Sequence, residues 1–324
     1  MHLFDLHCDS LYIVATNDYK IKPWISQIKE ADKETSLFKN NFHLSFDRGS
    51  KYSPWIQTMA VWIPDELRGS AAFDFTVSCA KRLKSEIANS EIPIHQIKNF
   101  SEFKKTLNSH NVILAVEGGA ALHGELQNIK KLSKIGVRFI TLTWNGENEI
   151  GDGAGVENPK GLTDFGKKAI AELEKNKIVI DVSHASDPLF YDVATIATKP
   201  FIATHSNSRA VCSHKRNLTD EQFTIIKKSN GLVGLNFARI FLNSDSDATL
   251  AHLLNHAEHF LSLGGEDIIC LGSDFDGTDM PDGVSGIESM TAIYEYFLKH
   301  NYKEELVRKI FFKNAYKFCE NFDN

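Results

Sequence analysis

Along this chain, runs of apolar and β-branched residues alternate with segments whose apolar positions recur at helical spacing. The runs occupy residues 2–8 (HLFDLHC), 56–63 (IQTMAVWI), 111–117 (NVILAVE), 137–144 (VRFITLTW), 178–184 (IVIDVSH), 201–206 (FIATHS), 231–237 (GLVGLNF) and 268–274 (IICLGSD). Most are nearly continuous in apolar residues, the pattern of strands covered on both faces in a parallel sheet. Between them lie helical segments such as DFGKKAIAELEKN (164–176) and TLAHLLNHAEHFLSLG (249–264), the second ending on glycine. Alternation sustained over roughly 250 residues predicts an α/β fold, either a (β/α)8 TIM barrel or a doubly wound sheet. Eight strands favour the barrel. No internal repeat or Pro/Gly/Ser-rich linker divides the chain, so residues 1–324 read as one domain.

Two stretches break the alternation. Residues 15–55 are too long and polar for a first connecting helix and are expected to decorate the barrel mouth. Residues 145–162 (NGENEIGDGAGVENPKGL) are Gly-rich and acidic; a solvated loop and a substrate lid both fit, since long βα loops border barrel active sites.

The polar residues at the strand ends change the picture. His7 and Asp9 stand two apart, so in an extended strand they share one face. Alone, such a pair is more readily a solvated or hydrogen-bonded strand end than the start of a metal site. Glu117 ends the third run, His184 the fifth and Asp274 the eighth, while His205 lies in the sixth. In a barrel these ends converge at one rim. So many titratable groups among apolar strands would be costly to hold together without a compensating cation. Imidazole and carboxylate ligands suit zinc, and two ions sharing one carboxylate would employ the set.

Composition narrows the alternatives. A formal net charge of -6 gives no basic footprint for nucleic acid. No apolar stretch reaches the roughly 18 residues of a membrane span, and the first residues read as a strand rather than a leader. Five scattered cysteines without a C-x-x-C pair predict reduced thiols and a cytoplasmic location.

Taken in order, DLHCDS, AVEGG, GVRFITLTWNGEN, GLTDFGKKAIAELEKNKIVIDVSHAS, PFIATHSNSRAVCSHKRNLTD, GLVGLNF and GSDFDG resemble the membrane (renal) dipeptidase family of zinc peptidases. The resemblance runs from residue 4 to about residue 320 and is weakest over 15–55. It implies an amidohydrolase-type barrel holding two Zn²⁺ per chain, with His7 and Asp9 on one ion, His184 and His205 on the other, and Glu117 bridging. It further implies hydrolysis of small dipeptides by a metal-bridged hydroxide, Asp274 as proton carrier and Arg216 as receptor for the substrate carboxylate. Trp144, Asn145 and Phe237 are expected to line the substrate cavity, and a homodimer is compatible with the family.

The chain departs from animal members at two places. Trp144 and Ala120 stand where those members carry histidines, which leaves the substrate side less defined than the metal side. An N-acyl-amino-acid deacylase on the same binuclear barrel is therefore the competing reading. A catalytically silent binding protein is disfavoured, because Asp274 and all five ligand candidates are present.

Overall fold

The computed structural model describes residues 1–16, 36–106, 109–245 and 247–323. Its centre is a parallel sheet of eight strands: β1 (Leu3–Asp5), β2 (Trp55–Trp62), β3 (Ile94–Ile97), β4 (His110–Glu117), β5 (Val137–Thr141), β6 (Val179–Asp181), β7 (Val233–Leu235) and β8 (Ile269–Leu271). Seven of them follow the path β6-β5-β4-β2-β1-β8-β7, and β3 lies off it against β4. The first half of β4 pairs with β3, and the second half pairs with β5.

Seven of the eight expected runs contain a strand. The sixth, 201–206, is reduced to two parallel bridges, Asp181↔Ile202 and Ala203↔Val233. These bridges join β6 and β7, the two ends of the path. Hydrogen bonds on both sides hold them: the Ile202 N–H donates to Ile180 at 2.9 Å and the Ala203 N–H to Leu232 at 2.9 Å.

Alternate residues of one strand belong to opposite apolar clusters, as a period of two requires. Val112, Leu114, Ile140, Ile180 and Val233 join the larger cluster with the helices. Ile113, Ala115, Phe139, Val179 and Leu232 join a smaller one, which Phe312 and Ala315 cover from the C-terminal helices. Both faces are thus dry, and this is why the runs read as continuously apolar.

The expected helices form at Asp164–Lys175 and Leu250–Ser262. Thr163 caps the first by accepting from the Gly166 N–H. Within 15–55, residues 17–35 lie outside the described residues. The remainder is tied to the loop after β8, where the Asp276 carboxylate accepts from the backbone N–H of His43 at 2.6 Å and of Leu44 at 3.3 Å.

Candidate metal centre

The strand ends deliver the expected residues to one place. His7 and Asp9 follow β1, Glu117 ends β4, His184 follows β6, His205 follows the bridged segment and Asp274 follows β8. All six are buried, at 1% to 8% exposure. His184 and Asp274 adopt left-handed backbone, with φ of 66° and 61°. For residues other than glycine such angles cost on the order of 1–3 kcal/mol each, and they aim both side chains into the site.

Glu117 is central. Its Oε1 lies 2.8 Å from His184 Nε2 and 3.5 Å from His205 Nε2, while its Oε2 lies 3.7 Å from His7 Nε2. One carboxylate therefore faces two separate groups of nitrogens. His7 Nε2 is also 3.4 Å from Asp9 Oδ2 and 4.0 Å from Asp274 Oδ1. Those distances allow attraction, yet among the described residues His7 Nε2 and Asp9 Oδ1 make no hydrogen bond. Two such buried atoms side by side fit the ligand set of a divalent ion.

Outer partners fix the ring nitrogens. The Thr204 hydroxyl donates to Asp181 Oδ2 at 2.6 Å, so its oxygen accepts from His205 Nδ1 at 2.8 Å. The proton of His205 thus sits on Nδ1, leaving a lone pair on Nε2. His184 Nδ1 lies 3.0 Å from Asn145 Oδ1, and the two Nε2 atoms of His184 and His205 are 2.9 Å apart. Two imidazole nitrogens and a carboxylate oxygen converging in this way match a ligand set for a divalent ion.

The electrostatics agree. Burial holds the imidazoles of His184 and His205 well below their ordinary pKa, with Arg216 and His7 adding repulsion. Both are therefore neutral, and the short His184–Glu117 contact is not an ion pair. Burial would lower the His7 pKa too, but Glu117 and Asp9 outweigh it and raise it to about 10. Glu117 is pushed well above the usual carboxylate range by burial. Burial likewise lifts Asp274 to about 6, opposed by His7 and by the hydrogen bond from Asn236. A group of buried acids this uncomfortable without cations fits residence of divalent metal.

The centre opens into a cavity of about 360 Å³. Arg216 lines it, 5% exposed, with Nε and Nη2 unpartnered among the described residues. Trp144 and Asn145 line it as expected. Phe237 does not: it is fully buried in the larger core cluster, edge-on to Phe275 at 5.9 Å. The reason is strand parity. Asn236 turns toward the site, donating to Asp274 Oδ2 at 3.0 Å, so its successor turns away. Sequence reasoning missed Tyr12 and Trp62, which form one wall with rings 5.0 Å apart, as well as Phe241. Trp62 pairs in register with Glu117, a placement that its position at the end of the second apolar run already signalled.

Within 145–162, Glu147 and Asp152 bridge as an antiparallel pair, and Gly153 bridges to Ala185, so the segment packs back on the loop after β6.

The family described as membrane dipeptidase, peptidase family M19, matches residues 1–324. An uncharacterized protein in the pqqA 5' region of Klebsiella pneumoniae is 34% identical over 220 residues, 65% of this chain and 81% of that protein. Human dipeptidase 3 is 27% identical over 268 residues, 77% of this chain, and the chain spans 55% of that protein's length. Among solved structures, a metallo peptidase from Rhodobacter sphaeroides, liganded with a phosphinate mimic of the dipeptide L-Ala-D-Ala, superposes with a TM-score of 0.87 at 25% identity, covering 99% of both chains. The dipeptidase AC, a metallo peptidase, gives 0.87 at 26% identity over 100% of this chain and 99% of its own. The chain belongs to the membrane dipeptidase family, peptidase family M19, and is a peptidase of that family.

Proposed function

We propose that this chain is a zinc-dependent dipeptidase built as a single closed (β/α)8 barrel, the bridges at Ile202 and Ala203 serving as its eighth staves. The observation that carries the reading is Glu117, whose two oxygens face His184 with His205 on one side and His7 on the other. His7 and Asp9 would hold one ion, His184 and His205 a second, and Glu117 would bridge them. Bound divalent ions would polarise the scissile carbonyl and generate the hydrolytic nucleophile from water at neutral pH.

The protein's own groups do the rest. Asp274 has one oxygen held by Asn236 and the other toward His7. It takes the proton of the attacking water and returns it to the leaving amine. Arg216, with two free nitrogens, receives the substrate carboxylate as a charge-assisted fork. Tyr12, Trp62 and Trp144 wall the cavity against bulk water. A dipeptide mimic in the similar Rhodobacter protein supports the substrate class. Five buried free thiols suit a reducing compartment such as the cytoplasm.

Stripped protein reloaded with zinc and assayed on L-Xaa-L-Xaa and L-Xaa-D-Xaa dipeptides, with N-acetylated amino acids alongside, tests this. Two ions per chain and cleavage of free dipeptides are expected. Saturation at one ion would end the bridged site, and faster turnover of the acetylated compounds would favour the deacylase.

A further inference from the structure

The Gly-rich segment 145–155 folds back on the backbone of one residue. A Cβ at Gly153 would collide with the Trp144 carbonyl and the Asn145 carbonyl, and one at Gly155 would press on the Asn145 carbonyl oxygen. The Gly155 N–H donates to that same oxygen at 2.7 Å. On the other side, the Gly146 N–H donates to Asp65 Oδ2 at 2.8 Å. Only glycines leave room for this packing, so the loop is a mould around Asn145.

What the mould presents is a side chain with two different ends. Asn145 Oδ1 lies 3.0 Å from His184 Nδ1, and the residue lines the cavity. If His184 ligates through Nε2, its proton is on Nδ1, and the amide oxygen is the acceptor that keeps it there. The amide nitrogen then points away from His184 and has no hydrogen-bond partner among the described residues. We infer that Asn145 is a positioning residue for His184 and, through Nδ2, the hydrogen-bond donor to the carbonyl oxygen of the bond being cleaved. The inference rests on the metal-dependent dipeptidase reading and goes beyond it by assigning both functions to one amide.

The two ends are separable by substitution. Asn145→Asp keeps an acceptor for the His184 Nδ1–H but replaces the donor with an acceptor; Asn145→Leu removes both. Zinc affinity of the stripped protein is read by competition with a chromophoric chelator, beside kcat and KM on a dipeptide. Asn145→Leu should weaken zinc binding by about 10- to 100-fold, the usual effect of losing an outer partner of a metal-bound histidine. Asn145→Asp should hold zinc within about tenfold yet lower kcat by ~10² to 10³-fold with KM little changed, as for loss of one oxyanion donor. Unchanged zinc affinity in the leucine variant would overturn the positioning function, and kcat within about threefold of wild type in the aspartate variant would overturn the donor function. Nitrogen-15 spectra of the zinc-loaded wild type give a reading that needs no variant to fold: a His184 proton on Nε2 would refute the arrangement. Wild-type protein that neither binds zinc nor cleaves dipeptides would instead sink the underlying reading.

Discussion

Arg216 should carry two opposite effects, and both follow from its burial. The guanidinium is 5% exposed, stands 5.3 Å from the Phe241 ring and has no partner for Nε or Nη2 among the described residues. Burial lowers its pKa to about 10 against the pull of Asp274 and Glu117, so it is charged at neutral pH at a cost in desolvation. Arg216→Met removes the charge and keeps much of the packing. A hydrogen bond to a charged group contributes ~1.5–3 kcal/mol, so losing two to the substrate carboxylate should lower kcat/KM by roughly 10² to 10⁴-fold. The same substitution should stabilise the substrate-free, zinc-loaded protein by ~1–3 kcal/mol, because an unsatisfied buried cation is gone. The assay is kcat/KM on a free dipeptide and on its C-terminal amide, with urea unfolding of both proteins. The loss should be confined mainly to the free acid. An equal loss on the amide, or a variant less stable than wild type, would show that Arg216 is a structural cation and not the carboxylate receptor.

Three further outcomes are expected. Asp274→Asn should bind zinc and stay folded while losing ~10² to 10⁴ in kcat with little change in KM, the range for general acid-base participation; turnover within a few-fold of wild type would contradict its role as proton carrier. A Cβ at Gly277 would collide with Asp9 Oδ2 and Asp274 Oδ1, so Gly277→Ala should depress zinc affinity and activity together, read by metal content after dialysis. His256, fully buried, accepts from the Ser208 N–H through Nδ1 and donates through Nε2 to Leu242, and burial lowers its pKa to about 4. The unfolded chain therefore takes up this proton near pH 6.5 while the native protein does so only near 4. Its stabilising effect is complete above pH 6.5 and lost as pH falls through that window, by about 2–3 kcal/mol at pH 4.5. Urea unfolding should show a smaller loss between pH 7 and 4.5 in His256→Gln than in wild type.

Most of the sheet was legible because its strands are apolar on both faces, so they stand out as runs. β3 was not legible: IHQI is short, exposes His95 and has only Ile94 and Ile97 buried, so neither alternation nor a continuous run marks it. The segment 201–206 read as a strand on composition, yet it keeps strand pairing only at Ile202 and Ala203 before turning into the site. Phe237 was misplaced because a residue beyond a strand end was assigned by adjacency rather than parity. Tyr12 and Trp62 were missed for the opposite reason, since aromatic side chains in an apolar run look like core.

Periodicity alone gives no reason why Asp9, Glu117 and Asp274, rather than Asp5, Asp181 and Asp276, stand out as site acids; their hydrogen bonds do. Asp5, Asp181 and Asp276 are as deeply buried as the site residues and as close to strand ends. Asp5 accepts from Gln57, from the Ser273 N–H and from the Ser273 hydroxyl. Asp181 accepts from two backbone N–H groups and from Thr141 and Thr204 hydroxyls, and Asp276 from Ser10 and two backbone N–H groups. Each of these three has its oxygens met by donors inside the protein, although burial still raises Asp5 and Asp276 above the usual carboxylate range. Among the described residues, Asp9 Oδ1 has no partner, the Glu117 carboxylate meets imidazole nitrogens, and Asp274 has a single side-chain donor in Asn236. A fold that surrounds three carboxylates with local donors, yet leaves three others with few donors around one point, presents there a set of ligand atoms of the kind a divalent cation takes.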